Sequence, residues 1–144
     1  MKADAKTEAE VMDVINRLIK AFNKRDIEGG LALFASDPDV VFIGTGKDEK
    51  RIGLTEIKDE FERAFTQSEQ SSIQLEWYSV SAAGSVAWVA YDALIQAQVS
   101  GKERKFPVRV TTVMERRGDK WFIVHSHDSM PAAGQKEGES WPTE

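Results

Sequence analysis

Residues 104–129 read RKFPVRVTTVMERRGDKWFIVHSHDS, and this stretch decides the fold class. Apolar and polar side chains alternate on both sides of Arg117-Gly118-Asp119. Alternation with a period of two is typical of a β-strand, and a short glycine-containing break between two such runs predicts an antiparallel hairpin. The stretch therefore predicts two paired strands, over 104–116 and 120–129.

The same period of two continues upstream of this hairpin. It predicts strands over 73–81 and 86–99, and the breaks at Ala83-Gly84 and Ser100-Gly101 are short enough to be turns. Strands joined by short turns pair side by side, so the C-terminal half predicts a four-stranded antiparallel sheet.

The N-terminal segment has the period of a helix instead. Its apolar residues recur at helical spacing, at Val11, Val14, Ile15, Leu18, Ile19 and Phe22. Thr7 followed by Glu10 fits a capping box, which predicts a helix that begins at Thr7 and ends near Asp26.

Shorter elements fill the interval between this helix and the strands. The pattern predicts a helix over 30–34, an apolar strand over 40–43, a loop over 44–48 and a helix over 55–65. Helices followed by long hairpin strands predict an α+β fold, with the N-terminal helices packed on one face of an antiparallel sheet.

Composition limits the classes of function. The chain has 144 residues, a formal net charge of −5 and no cysteine. An acidic chain is a poor partner for nucleic acid, and the lack of cysteine excludes disulfides, thiol nucleophiles and thiolate metal sites. No apolar run reaches the roughly 20 residues that span a membrane, and the start MKADAKTEAE lacks a signal-peptide core, so we expect a cytoplasmic protein. We expect one domain over 1–131 and a flexible tail over 132–144.

Alternation assigns side chains to the two faces of the sheet, provided that no β-bulge shifts the register. On the helix-covered face, the polar groups that form the predicted ligand pocket are Tyr78, Tyr91, Thr112, Ser126 and Asp128. Apolar walls with a few polar groups are the usual form of a small-molecule site. Burial raises the pKa of a carboxyl group, so Asp128 is the candidate for acid–base chemistry. Asp37 and Asp39 are alternatives, but they flank a proline and are typical of a turn.

Large apolar groups and charged groups share the opposite face. The predicted cluster there is Trp88, Asp92, Arg109, Trp121, His125 and His127, accompanied by Val113 and Ile123. Aromatic residues with Arg and few lysines are typical of a buried interface, so we expect a homodimer that packs sheet face on sheet face.

Two other interpretations of this cluster involve chemistry. Asp92 and Arg109 are expected to form a structural ion pair; the alternative is that Arg109 stabilises an anion while His127 carries a proton. His125 and His127 share a face, as two metal ligands would, but the chain has no third histidine, so we expect no metal.

Several short segments make the chain recognisable. They are RVTTV at 109–113, RRGDKW at 116–121, IVHSH at 123–127 and SMP at 129–131, with NKRD at 23–26, LF at 33–34, DPDV at 37–40 and IGTG at 43–46 in the N-terminal half. Over residues 7–131 the chain resembles the SnoaL-like branch of the NTF2-like superfamily. The C-terminal run is also similar to the association domain of calcium/calmodulin-dependent kinases. The resemblance implies a cone-shaped α+β fold, a curved sheet wrapped around helices, a pocket at the open end and dimerisation across the sheet.

The resemblance leaves two classes of function open. The strand at 40–43 matches the strand that carries the base in a related ketosteroid isomerase, and here it has no carboxylate. Three positions match the ligand-binding arginines of kinase association domains, and none is basic here: Ala93, Thr112 and Asp128. We therefore expect a small hydrophobic molecule in the pocket, with isomerase, cyclase or dehydratase chemistry that needs no cofactor. The alternative is a non-catalytic homo-oligomerisation domain. A cavity that retains polar groups favours the first, and an interior filled by side chains favours the second.

Overall fold

Helices dominate the first half of the chain and long strands the second, in a computed structural model that describes residues 1–144. The elements are α1 (Ala5–Asn23), α2 (Ile27–Leu31), β1 (Val41–Ile43), β2 (Lys50–Ile52), α3 (Gly53–Thr66), β3 (Gln70–Ala83), β4 (Val86–Val99), β5 (Lys102–Arg117) and β6 (Lys120–Ser129). The predicted α+β fold is confirmed, and the predicted bounds of β4 and β6 match those observed. None of the helices is long and apolar enough to cross a membrane.

The six strands form one curved sheet in the order β2-β1-β6-β5-β4-β3. All neighbouring strands are antiparallel except β1 and β6, which run parallel. The four C-terminal strands pair antiparallel as predicted, and the short strand β1, whose partner was not predicted, makes the sheet mixed. The parallel contact continues beyond β1, because Ile123 donates to the Leu33 carbonyl at 2.9 Å and Ala35 donates to the Ile123 carbonyl at 2.8 Å. The strand β2 was not predicted, since its three residues show no alternation of their own.

The starts of the first two helices differ from prediction for the same reason, which is an aspartate cap. Asp4 accepts a hydrogen bond from the Thr7 amide at 2.8 Å, so α1 begins two residues before the predicted cap. Asp26 accepts from the Gly29 amide at 3.0 Å and starts α2 at Ile27 rather than at residue 30. Between the two helices the chain reverses at Arg25, whose φ of 57° lies in the left-handed region.

The hydrophobic core lies between α1, α3 and the helix-covered face of the sheet. Its fully buried members include Val11, Ile15, Ile57, Met114 and Ile123. Burying side chains of this size contributes on the order of 2 kcal/mol each, which makes this layer the main source of stability.

A β-bulge in β6 reverses part of the predicted face assignment. Val113 pairs with His125, but the next residue, Met114, pairs with Ile123, so Val124 is an extra residue. Trp121 and Ile123 therefore lie on the helix-covered face, not in the predicted cluster on the opposite face. Ile123 is completely buried, and the Trp121 indole donates to Glu10 of α1 at 3.0 Å.

Residues 132–144 form turns and contain no helix or strand. Backbone hydrogen bonds join Thr143 to Gly134 and Glu139 to Lys136 within this segment. The flexibility of this tail stays a prediction.

Candidate functional site

A cavity of about 370 Å³ lies between the helices and the helix-covered face of the sheet. Its apolar walls include Leu18, Phe22, Phe42, Phe61, Phe65, Ile95 and Phe106. Aromatic rings pack against one another along this wall, with Phe42 and Phe61 centroids 6.0 Å apart and Phe22 and Phe65 centroids 5.1 Å apart. The interior of the fold is therefore not filled by side chains, which was the observation expected to separate the two classes of function.

Asp128 projects into this cavity from the C-terminal end of β6. Strand pairing places it opposite Val110 and on the same face as Ser126, so its side chain points toward the helices. The carboxyl group forms no hydrogen bond or ion pair with the protein. Burial raises the pKa of Asp128 to about 7, and the nearby negative charge of Glu49 adds to the increase.

The other carboxyl groups of the cavity are all engaged by protein partners. Glu60 accepts from Arg51 Nε at 2.7 Å, and Glu49 accepts from Arg63 Nη2 at 3.2 Å. Asp26 caps α2. Because each of these groups is bound by a cation or by backbone amides, Asp128 is the carboxyl group that remains available to a ligand.

Glu49 is held close to Asp128 by the loop between β1 and β2. Its Oε2 atom accepts from the Gly46 amide at 3.0 Å, and the loop wraps around the side chain so closely that a Cβ atom at Gly44 or Gly46 would clash with it. The Gly44-Thr45-Gly46 segment therefore has a positional role in bringing a second carboxylate to the site.

Three of the predicted pocket residues form a polar strip on the sheet next to Asp128. Tyr91 and Ser126 line the cavity, and the Thr112 hydroxyl lies behind them, 3.2 Å from the Ser126 hydroxyl. Burial raises the pKa of Tyr91, the charge of Asp128 raises it further, and Thr112 partly offsets the effect. The phenol of Tyr91 is therefore a hydrogen-bond donor at any physiological pH.

Of the predicted pocket residues, Thr112 lies just behind the cavity wall and Tyr78 lies outside the cavity. Tyr78 pairs with Tyr91 on the neighbouring strand but is 43% exposed. The cavity follows β4 from Tyr91 toward Val99, so its wall continues away from Tyr78 rather than across it.

Known proteins share both the sequence profile and the fold of this chain. The sequence profile of the SnoaL-like domain matches residues 11–133. The chain belongs to the SnoaL-like family. No curated protein matches it in a sequence search.

Solved structures confirm the fold of this SnoaL-like domain. An NTF2-like protein of unknown function from Pseudomonas putida KT2440 is 25% identical, with a TM-score of 0.76 and coverage of 89% of both chains. A nuclear transport factor 2 (NTF2-like) superfamily protein from Salmonella enterica is 23% identical, with a TM-score of 0.84, and the match covers 96% of this chain and all of the other. A protein provisionally named as a dehydratase of the NTF2-like family from Streptomyces avermitilis is 19% identical, with a TM-score of 0.81, over 90% of this chain and all of the other.

Sequence reasoning missed several polar residues of the SnoaL-like site, among them Glu49 and Ser71. Glu49 lies just after the loop predicted over 44–48, and Ser71 lies between the helix predicted over 55–65 and the strand predicted from residue 73. Ser71 belongs to β3, which begins at Gln70, and alternation with Ile73 and Leu75 was the signal that could have placed it on the cavity side.

The remaining members of the predicted cluster lie on the face of the sheet that the helices do not cover, here called the outer face. Asp92 and Arg109 are directly opposite each other on β4 and β5, both exposed, but no ion pair joins them. His127 is also exposed there, so the sheet separates it from Asp128 and it is not positioned to carry protons in the cavity. His125 and Trp88 are half-buried on this face. The His and carboxyl side chains form no group of three or more that could hold a metal ion.

Proposed function

We propose that this SnoaL-like domain binds a small apolar molecule in the cavity and catalyses a proton transfer on it, with Asp128 as the general acid–base. The reaction class is isomerisation, cyclisation or dehydration without a cofactor. The observation that carries the proposal is an unpartnered carboxyl group, with its pKa raised to about 7, in a cavity walled by aromatic rings.

A carboxyl group with this pKa is suited to proton transfer at neutral pH. About half of it is deprotonated, and the carboxylate is then a much stronger base than an exposed aspartate. Removal of a proton next to a carbonyl group creates negative charge on the carbonyl oxygen. The Tyr91 phenol and the Ser126 hydroxyl are the donors available to stabilise that charge.

The three reaction types share this first step and differ in the second. Return of the proton at another carbon gives isomerisation, attack of the carbanion on a second carbonyl gives cyclisation, and expulsion of a β-hydroxyl group as water gives dehydration. The provisional name of the Streptomyces avermitilis relative agrees with the last of these. Each outcome requires the same carboxyl group in the same apolar setting. The site therefore supports this class of reaction without distinguishing isomerisation, cyclisation and dehydration.

Exchange of carbon-bound protons for deuterium tests the proposal without a known substrate. The probe is 2-tetralone, an apolar bicyclic ketone, followed by proton NMR in D₂O. We expect wild-type protein to accelerate exchange, with a rate that rises with pH and levels off above about 7. Asp128→Asn should slow the catalysed exchange by about 100-fold or more.

The matched control is Asp92→Asn, which removes an exposed carboxyl group from the outer face. Its exchange rate should equal that of the wild type. Exchange that is unaffected by Asp128→Asn, in a variant that still binds 2-tetralone, would contradict a catalytic role for Asp128.

We also propose that the outer face joins two copies of the chain. The support is a row of half-buried side chains that crosses four neighbouring strands at one level: Trp88, Val113, His125 and Val41. An apolar row of this kind on an uncovered sheet face is typical of an interface. Homodimerisation is compatible with catalysis, because the cavity lies on the other side of the sheet.

A further inference from the structure

The Ser71 hydroxyl is a buried polar group without a hydrogen-bond partner. Its oxygen is shielded from solvent and accepts or donates no hydrogen bond. No other buried side-chain nitrogen or oxygen of the protein lacks a partner. An unsatisfied buried hydroxyl is unfavourable, and native structures contain few of them. Ser71 lies on the wall of the cavity, so rotation of its side chain about χ1 would bring the hydroxyl to a molecule bound there and supply the missing partner.

The neighbouring polar groups cannot supply it because they are bound to one another. Ser68 donates to the Ala64 carbonyl at 2.8 Å and accepts from Arg25 Nη2 at 2.9 Å. Arg25 also donates to the Phe65 carbonyl at 2.6 Å, with its guanidinium 5.3 Å from the Phe65 ring. These contacts occupy Ser68 and Arg25, and none of them involves the Ser71 hydroxyl.

Ser71 and Asp128 are far apart along the same cavity. Strand pairing links Asp128 through Val110 to Tyr91 on β4, and it pairs Ser71 with Ala97 on the same strand. Tyr91 and Ala97 both line the cavity and are six residues apart, which corresponds to about 20 Å along an extended strand. The two polar groups therefore lie toward opposite ends of the cavity wall.

We propose that the cavity accepts an elongated, uncharged, apolar molecule with a polar group at each end, one bound at Asp128 and the other at the Ser71 hydroxyl. This proposal rests on the proposed function for the Asp128 end and adds the shape and polarity of the ligand. No Lys, Arg or His side chain lines the cavity, so an anionic end group would find no counter-charge there. Ser71 is a binding and specificity residue and takes no part in proton transfer.

A length series of simple probes tests the two-ended contact. The probes are straight-chain terminal diols from octanediol to hexadecanediol and the primary alcohols of the same lengths, with dissociation constants from isothermal titration calorimetry. For wild-type protein we expect the alcohols to bind progressively more tightly with length. The diols should show an additional tightening of about 3- to 10-fold at one length only, where both ends are in contact.

Ser71→Ala should remove the additional step and leave the alcohol series unchanged. Ser72→Ala is the matched control, since Ser72 is the next residue on β3 and its side chain is on the opposite face of the sheet. Ser71→Ala removes an unsatisfied polar atom, so we expect it to fold at least as stably as the wild type.

Three results would overturn the inference: parallel diol and alcohol series in wild-type protein, a step that survives Ser71→Ala, or no binding by either series. Parallel series with normal binding would mean that Ser71 contacts ordered water only. Failure of the proposed function is seen separately, as 2-tetralone exchange that is insensitive to Asp128→Asn. If the diols show the length-dependent step but Asp128→Asn does not slow the exchange, the cavity is a two-ended binding site without catalysis.

Discussion

The Asp128 carboxyl group is buried, and burial makes its charged form unfavourable. The same burial therefore affects both the proposed chemistry and the stability of the fold. The folded protein holds a proton on Asp128 up to about pH 7, whereas the unfolded chain releases it near pH 4. Between these values the folded state binds more protons than the unfolded state. The contribution of Asp128 to the free energy of unfolding is therefore fully present below about pH 4 and is lost as the pH rises from there through about 7.

Asp128→Asn should accordingly be more stable than the wild type at neutral pH. Asparagine resembles the protonated acid, so the difference in the free energy of unfolding should grow by about 1.4 kcal/mol per pH unit between about pH 4 and pH 7 and then level off. Urea unfolding of both proteins at pH 5, 6, 7 and 8 measures it. Other carboxyl groups, such as Asp37 beside Arg117, titrate alike in both proteins and cancel in the difference. A difference that is constant with pH would show that Asp128 is ionised throughout.

At the scale of elements, α2 shows how one side chain sets a helix start. The Gly29 amide donates to Asp26, and a Cβ atom at Gly29 would clash with the Asp26 carboxylate. At Gly30, an added Cβ atom meets Phe61 at 3.5 Å and Ala21 at 3.8 Å, which are ordinary contacts. The two adjacent glycines therefore differ in what they tolerate.

Alanine at these two positions should separate the effects of the cap and of helix propensity. Gly30→Ala should raise the free energy of unfolding by about 0.5–1 kcal/mol, because alanine is the better helix former. Gly29→Ala gains the same propensity but displaces the cap, so it should be about 1 kcal/mol less stable than Gly30→Ala. Urea denaturation of both variants measures the difference. Equal stabilities would indicate that the Asp26 cap contributes nothing.

The elements also show how far the sequence determines the site. Alternation places Thr112 and Tyr91 on the helix-covered face, because β4 and β5 pair without irregularity. It fails on β6, where Val124 is the extra residue of the bulge and is apolar like its neighbours, so nothing in the pattern marks it. Trp121 and Ile123 consequently exchange faces, whereas Ser126 and Asp128, beyond the bulge, are on the cavity side as expected.

At the scale of the whole molecule, the fold was predictable and the depth of the cavity was not. Periodicity and turns define helices packed on a sheet, since each signal is local. Glu49 reaches the cavity through the β1–β2 loop, where the Gly46 amide binds its carboxylate, and Ser71 reaches it through the pairing of β3 with β4. No local pattern encodes the position of Glu49, whereas alternation with Ile73 and Leu75 could have placed Ser71.

The outer face is the one side of the sheet that no helix covers, and it bears on the assembly of the whole molecule. Its row of Trp88, Val113, His125 and Val41 leads us to expect a homodimer in native mass spectrometry and sedimentation velocity at micromolar concentration.

Val113→Glu places a charge in the centre of the row and should produce a monomer with an unchanged circular dichroism spectrum. Gln98→Glu adds the same charge on the same face outside the row and should remain dimeric. A monomeric wild type would remove the basis for an interface on this face, while the cavity and its carboxyl group would be unaffected, because they are formed within one chain.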